Sequence, residues 1–169
     1  MSAGRMWQDL AKTRFWETTS LDQMNQAQWE ALCDRCGRCC LLKLEDADAP
    51  KEAPERFVYT SVACKLLDCG SGLCRSYEDR HTYVPDCVVL HPGTLKEQLL
   101  WMPGTCAYRL LAEGKTLPDW HPLVSGQAES VAEAGISVGG WASSELDIDD
   151  EQDLLHHLAP PFHRSQTIA

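Results

Sequence analysis

Four cysteines within eight residues are the feature of this sequence that most clearly points to chemistry. They form the pattern C-x-x-C-x-x-C-C at Cys33, Cys36, Cys39 and Cys40. A gap of two residues allows two thiolates to reach one ion across a tight turn, as in zinc knuckles and iron-sulfur proteins. Because one such segment seldom completes a site, we expect further ligands from elsewhere in the chain.

The other cysteines are the candidates for those remaining ligands. All nine cysteines of the 169-residue chain lie in one segment, which runs from Cys33 to Cys106. The five later ones are Cys64, Cys69, Cys74, Cys87 and Cys106. Nine thiols allow two four-ligand sites with one left over, or one site together with several buried thiols. Both divisions stay open.

The metal is equally open at this point. Cys33, Cys36 and Cys39 match the first three positions of a bacterial ferredoxin run, but Lys43 and Leu44 stand where its C-P pair would follow. A zinc ribbon needs a second C-x-x-C, which the later cysteines do not form. A third reading has no metal, with the thiols buried as small hydrophobic groups.

Charge and hydropathy exclude several classes of partner and place the protein in the cytoplasm. The chain has 15 Lys plus Arg against 25 Asp plus Glu, a net charge of −10, so nucleic acid and anionic membrane surfaces are disfavoured. Apolar runs are far shorter than the ~20 residues that span a bilayer, and residues 1–20 lack the apolar region of a secretory signal. In the reducing cytoplasm, dense cysteines indicate metal or redox chemistry rather than disulfides.

The elements that must position the thiols predict a small, irregular α+β domain with short helices and a small β-sheet. We expect this single cysteine-rich domain to be stabilised by its metal. Capping-box patterns begin predicted helices at Asn25 and Thr94. Further helices are predicted at 105–114, at 127–134 and through Leu154, Leu155 and Leu158, and strands at 57–63, 83–90 and 136–141. The predicted organisation is a lead-in at 1–24, a cysteine-cluster domain at 25–144, and an acidic C-terminal helix and tail at 145–169.

For several other side chains, a functional role competes with an ordinary structural one. Cys69 is predicted to be an exposed loop thiol, and the tail after Pro160 is expected to fray. His121 is predicted to anchor a loop by donating to a backbone carbonyl, and His156 and His157 to interact with a helix dipole. Four residues next to cysteines could orient ligands or form surface pairs, namely Arg75, Tyr77, Asp86 and Arg109. Standard enzyme motifs are missing, so no catalytic residue is predicted.

From about Trp29 to Val138 the chain resembles the YcgN-type cysteine-cluster family, related to the YkgJ-like CxxCxxCC group of zinc- or iron-chelating proteins. The resemblance is carried by C-D-R-C-G-R-C-C at 33–40, V-A-C at 62–64, C-R-S-Y at 74–77, P-D-C at 85–87, T-C-A-Y-R-L-L-A-E-G-K at 105–115 and L-P-D-W-H-P-L at 117–123. It implies a metal-ligand set of eight thiols: Cys33, Cys36, Cys39, Cys40, Cys64, Cys74, Cys87 and Cys106. Cys69, His81 and His91 fall outside that set, and the family brings no established biochemical role.

Three functions therefore compete. The first is a zinc- or iron-binding protein whose thiolate centre stabilises the fold, and whose partner is the metal ion. The second is an iron-sulfur protein for electron transfer or redox sensing. The third is an adaptor whose acidic C-terminal segment docks an unidentified basic protein.

Overall fold

The structure is a computed structural model that describes residues 3–160, with side chains from Trp7 onward. The predicted fraying tail at 161–169 lies outside the described residues. The α-helices are α1 (Ala3–Thr13), α2 (Phe15–Thr18), α3 (Gln26–Ala31), α4 (Arg80–Tyr83), α5 (Leu95–Gln98), α6 (Ala107–Ala112), α7 (Pro122–Ser125) and α8 (Ser130–Glu133). Short 3-10 helices occupy Leu21–Gln23, Arg38–Cys40, Pro54–Arg56, Glu145–Asp147 and Glu151–His156. The strands are β1 (Leu41–Glu45), β2 (Phe57–Ala63), β3 (Leu67–Asp68), β4 (Leu73–Cys74) and β5 (Ser143–Ser144).

The predicted α+β class, with short helices and a small sheet, is confirmed. Three strands form a mixed sheet in the order β1-β2-β5, in which β1 is antiparallel and β5 parallel to β2. Strands β3 and β4 form a separate antiparallel hairpin. No helix in residues 3–160 combines the length and apolar character needed to cross a membrane.

Strand β2 lies where the sequence predicts it, but its partners were missed. The predicted strand at 83–90 is wrong: it holds the end of α4 and irregular chain that includes Pro85. The predicted strand at 136–141 is also wrong, because its buried Val138 donates to the carbonyl of Cys36 and not to a neighbouring strand. The strands that pair with β2 are β1, directly after the four cysteines, and the two-residue β5.

The helix predictions locate helices correctly and overestimate some of their lengths. Helix α3 begins with the predicted capping box, in which Asn25 and Gln28 exchange two hydrogen bonds. Helix α5 is only four residues long, and the Thr94 side chain makes no capping hydrogen bond; its hydroxyl donates to the carbonyl of His91 at 3.4 Å. The final predicted helix is a single 3-10 helix, at Glu151–His156.

The described chain divides into two compact units. The first unit comprises residues 3–35 and 91–137, and the second comprises residues 36–90 and 138–160. The predicted boundaries at residues 24 and 144 stay a prediction.

The first unit has an aromatic core to which the lead-in contributes. Trp7, Phe15 and Trp16 are all buried, so this segment packs as part of the unit. Trp29 of α3 meets Tyr108 of α6 with ring centroids 4.7 Å apart. The hydroxyl of Tyr108 also donates to the carbonyl of Trp29 at 2.7 Å. Aromatic contact and a satisfied hydroxyl together fix α3, and hence the start of the cysteine segment.

The second unit has its own small core beneath the sheet. It consists of Leu41, Ala63, Leu67, Val138 and Ala142, against which Cys40, Tyr59, Cys69 and Trp141 pack. The prediction that Cys69 is an exposed loop thiol is wrong, because its side chain is half-buried against this core. The glycines around it form a tight turn whose carbonyls approach residues 139–140, and this turn holds Cys69 inward.

Candidate metal centre

A left-handed glycine sets the turn that carries the four-cysteine motif. Gly37 has φ +76°, and a Cβ there would lie 2.7 Å from a methyl group of Val138 and 2.8 Å from the carbonyl of Gly72. On one side of Gly37, the carbonyl of Cys36 accepts from the backbone of Val138 at 2.9 Å. On the other side, the 3-10 helix Arg38–Cys40 brings two thiols side by side. Only glycine fits both the conformation and the space.

The strands next to this turn bring two distant cysteines toward it. Cys64 follows directly after β2, and its N–H donates to the carbonyl of Cys40 at 2.9 Å. Its own carbonyl accepts from Leu67, the first residue of β3, at 2.8 Å. Leu67 pairs with Cys74 in the β3-β4 hairpin. Backbone hydrogen bonds thus connect Cys40 to Cys64 directly, and Cys64 to Cys74 through Leu67.

The thiols of this region interact with one another. A hydrogen bond with Cys39 and burial raise the pKa of Cys40 far above its ordinary value, and negative charges on Cys39, Cys64 and Cys74 raise it further. Burial raises the pKa of Cys64, with smaller contributions from the charges of Glu145 and Cys74. Cys40 therefore lies in an electrostatic neighbourhood of three other thiols, in which a negative charge on any of them opposes its ionisation.

Cys87 is a fifth member of this neighbourhood. It follows α4 in a turn in which its N–H donates to the carbonyl of Val84 at 3.0 Å. Burial raises the pKa of Cys87, and the nearby Arg80 guanidinium opposes that increase by favouring the thiolate. Arg80 also stacks on Tyr77, 4.2 Å from the ring centroid.

Two cations near the thiols were not predicted from sequence. Lys43 donates to the carbonyls of Cys39 at 2.9 Å and Leu41 at 2.7 Å, and its ammonium lies 4.9 Å from the ring centroid of Tyr59. Burial lowers the pKa of Lys43, and the thiols of Cys39 and Cys40 counteract that change. Arg80 is the second of these cations. For Lys43, the sequence signal was a single lysine within the apolar run L-L-K-L.

The remaining predicted ligands have different environments. Cys36 belongs to the second unit and is buried. Cys33 and Cys106 belong to the first unit, where Cys33 follows α3 and Cys106 is the N-cap residue of α6. The amide of Cys33 donates to Glu30 at 3.3 Å and that of Cys106 to Pro103 at 3.0 Å.

The donor chemistry suits zinc or iron, but the described side chains do not form a finished site. Throughout residues 3–160, no three Cys, His, Asp or Glu side chains have an arrangement that would hold a metal ion. None of the nine cysteines forms a disulfide, including the adjacent Cys39 and Cys40. A set of sulfur donors is the type that selects zinc and iron over magnesium or calcium.

His121 has the structural role predicted for it. It is completely buried, its Nε2 lies 3.0 Å from the carbonyl of Leu32, and its Nδ1 accepts from the amide of Leu123 at 3.1 Å. Acceptance at Nδ1 requires the tautomer that donates from Nε2. His121 thereby fixes the end of α3 just before Cys33.

The other singled-out polar residues mostly have surface partners. Arg75 pairs with Asp68 at 3.3 Å, and Arg109 pairs with Glu113 at 2.8 Å. His156 and His157 lie at the end of the last 3-10 helix, and both rings contact the carboxylate of Asp153. These contacts favour surface pairing over ligand orientation for the two arginines.

Comparison with known proteins first defines the class. A family model described as "CxxCxxCC: Putative zinc- or iron-chelating domain" matches residues 32–107, the segment that contains every cysteine. The resemblance inferred from the cysteine motifs is thereby confirmed.

Relatives then give the family. A UPF0260 protein of Rhizorhabdus wittichii is 57% identical over 144 residues, which are 85% of this chain and 92% of that protein. A UPF0260 protein of Brucella canis is 49% identical over 148 residues, covering 87% of this chain and 93% of its own. One of Rhodobacter capsulatus is 51% identical over 137 residues, covering 81% and 88%. The chain belongs to the UPF0260 family. No solved structure matches it.

Proposed function

We propose that this protein binds zinc or iron through thiolates, with Cys39, Cys40, Cys64 and Cys74 as the central ligands. The observation that carries the proposal is the set of backbone hydrogen bonds that links Cys40, Cys64 and Cys74 in the second unit, with Cys39 next to Cys40. The matched family description, which names zinc or iron chelation, supports it independently. Cys36 and Cys87 are further proposed ligands in the same unit, and Cys33 and Cys106 are proposed ligands in the first unit.

The electrostatics of the thiol neighbourhood favour a bound cation. The raised pKa values of Cys40 and Cys64 show that these thiols resist ionisation, whereas a bound divalent ion stabilises a thiolate directly. Lys43 and Arg80 contribute positive charge at the edge of this group of thiols, although the whole chain has a net charge of −10. Metal binding would release the thiol protons, so affinity should increase with pH.

We further propose that the metal stabilises the fold. Structural zinc contributes about 10–16 kcal/mol in peptide models, which is comparable to the ~5–15 kcal/mol net stability of a domain. The proposed ligands follow or belong to short elements, namely a 3-10 helix, β2 and a two-residue strand. Elements this short have little stability of their own.

The test is elemental analysis and a visible spectrum on untagged protein purified without oxygen. Cys40→Ser should lose at least half of the bound metal, because it removes a central ligand. Cys69→Ser is the matched control: it changes a half-buried thiol of the same unit outside the proposed set, and should retain the metal. Metal-free wild-type protein from metal-replete cells, or equal loss in both variants, would refute the proposal.

A second candidate is an iron-sulfur protein for electron transfer or redox sensing. The spacing of Cys33, Cys36 and Cys39 favours it, because it matches the first three ligands of a ferredoxin run. Iron with stoichiometric sulfide and visible charge-transfer bands would support this candidate. Colourless protein containing zinc would support a structural centre.

We propose the cytoplasm as the compartment, since its reducing poise keeps such a dense set of thiols available to metal. The negative charge of the chain supports a function without nucleic acid or membrane surfaces.

A further inference from the structure

Residues 145–158 combine exposed leucines with concentrated negative charge. The side chains of Leu146, Leu155 and Leu158 are 73%, 68% and 50% exposed. The same stretch contains six carboxylates, at Glu145, Asp147, Asp149, Asp150, Glu151 and Asp153. No Lys or Arg occurs between Lys115 and Arg164. We call these three leucines and six carboxylates the acidic leucine surface.

This segment is ordered by backbone pairing at both of its ends. Before it, β5 pairs with Val62 and Ala63 of β2. After it, Leu158 pairs with Thr60, and the carbonyl of His157 accepts from the amide of Ser61 at 2.6 Å. Because β1 occupies the other edge of β2, both ends are attached to the same edge of the sheet. The leucines between them are thus held near that edge.

Local hydrogen bonds hold the interior of the segment as well. The hydroxyl of Ser144 accepts from the amide of Leu146, and the carboxylate of Asp150 accepts from Gln152. The carboxylate of Glu145 accepts from the amide of Lys65 at 2.7 Å. A preorganised segment loses less conformational entropy on binding than a loose one.

The exposed leucines lie outside the described core cluster of the second unit. Its core consists of other residues, and Leu154 is the half-buried member of the adjacent Leu154–Leu155 pair. Val58, two residues before the Thr60 that pairs with Leu158, is itself 39% exposed. Apolar side chains that extend over one face beside polar ones are typical of protein-interaction sites.

We propose that the acidic leucine surface docks a basic, amphipathic segment of another protein. The carboxylates would pair with Lys or Arg side chains, and the leucines would contact the apolar residues between them. Charge decides against the alternatives, since pairing this surface with the same surface of a second copy would place acid against acid, and nucleic acid would be repelled. The proposal is independent of the metal centre.

Peptide binding to the full chain tests it. The probe is a short synthetic amphipathic peptide of Lys and Leu, labelled for fluorescence anisotropy, and a Glu-Leu peptide of the same pattern is the control ligand. Leu146→Ser combined with Leu155→Ser should weaken binding of the Lys-Leu peptide by at least about tenfold, because it removes the apolar contacts. Asp149→Asn combined with Glu151→Gln should weaken binding severalfold and reduce its salt dependence.

A matched control shows whether binding depends on the acidic leucine surface or only on the net charge of the chain. Asp48→Asn combined with Glu52→Gln removes the same charge from an exposed acidic loop without leucines like these, and should change binding less than twofold. Equal weakening by both charge pairs, or unchanged binding in the leucine variant, would overturn the proposal. So would a wild-type dimer that Leu155→Ser separates in sedimentation, since the surface would then bind a second copy. Circular dichroism and metal content of each variant should match those of the wild type.

Discussion

Gly37 shows how far the cysteine motif depends on one residue without chemistry of its own. Its φ is +76°, and a Cβ would lie 2.7 Å from a methyl group of Val138. We expect Gly37→Ala to lower the free energy of unfolding by about 2–4 kcal/mol, because left-handed strain adds to overpacking. Urea unfolding followed by circular dichroism measures this.

Two other glycines provide controls for that experiment. Gly104→Ala meets nothing within 4 Å at an ordinary φ, so it should change stability by less than about 0.5 kcal/mol. Gly140→Ala also meets nothing, but at φ +89°, and should cost only the ~1–2 kcal/mol of conformational strain. If Gly37→Ala cost no more than Gly140→Ala, close packing at the cysteine turn would be disproved.

His121 makes stability depend on pH in a defined direction. Burial lowers the pKa of His121 below its ordinary value of 6.5, and the charge of Asp34 only partly opposes this. Below about pH 6.5 the unfolded chain therefore binds a proton that the folded chain does not. This contribution to stability is complete above pH 6.5 and is lost as pH falls below it, by at most about 1.4 kcal/mol per pH unit.

Urea unfolding at pH 7.5, 6.5 and 5.5 measures that loss, with His121→Gln as the comparison. Glutamine can still donate to the carbonyl of Leu32 but cannot titrate. The variant should be less stable at pH 7.5 and lose less stability on acidification. An identical loss in both proteins would assign the pH dependence to other groups.

At the scale of elements, the α3 capping box and the unformed cap at Thr94 give a direct comparison. Asn25 accepts from the amide of Gln28 at 2.9 Å, whereas Thr94 makes no such bond. We expect Asn25→Ala to destabilise the protein by about 1 kcal/mol and Thr94→Ala by less than half of that. Equal effects in thermal unfolding would contradict the assigned caps.

The elements also show where sequence reasoning succeeds. A local signal was sufficient for β2, where β-branched and aromatic residues are dense. It was also sufficient for α3, whose capping box is formed by Asn25 and Gln28, three residues apart. It failed for β1 and β5. Lys43 interrupts the apolar pattern of β1, and two serines form β5, so both exist through pairing with β2 rather than through propensity.

At the scale of the whole molecule, the proposed metal centre predicts coupled loss of metal and structure. Stripping the metal from wild-type protein with a strong chelator should lower Tm by at least about 10 °C, because structural metal binding contributes directly to folding free energy. A circular-dichroism melt before and after chelation measures the change.

Two cysteine variants show whether the loss of stability on chelation comes from the proposed centre. Cys69→Ser should respond to the chelator as the wild type does. Cys40→Ser should melt lower from the start and show little further change. An unchanged wild-type melt after verified removal of the metal would leave a metal-binding protein whose centre does not stabilise the fold.

The sequence by itself determined the family, the fold class, the segment rich in thiols and the structural role of His121. Each of these depends on residue types and short spacings, which are properties of the sequence and do not require contacts between distant residues. Only the tertiary structure decided that Cys39, Cys40, Cys64, Cys74 and Cys87 interact, that Lys43 and Arg80 adjoin them, and that Cys69 packs inward. These relations depend on strand pairing and burial between residues far apart in sequence, which local patterns do not encode.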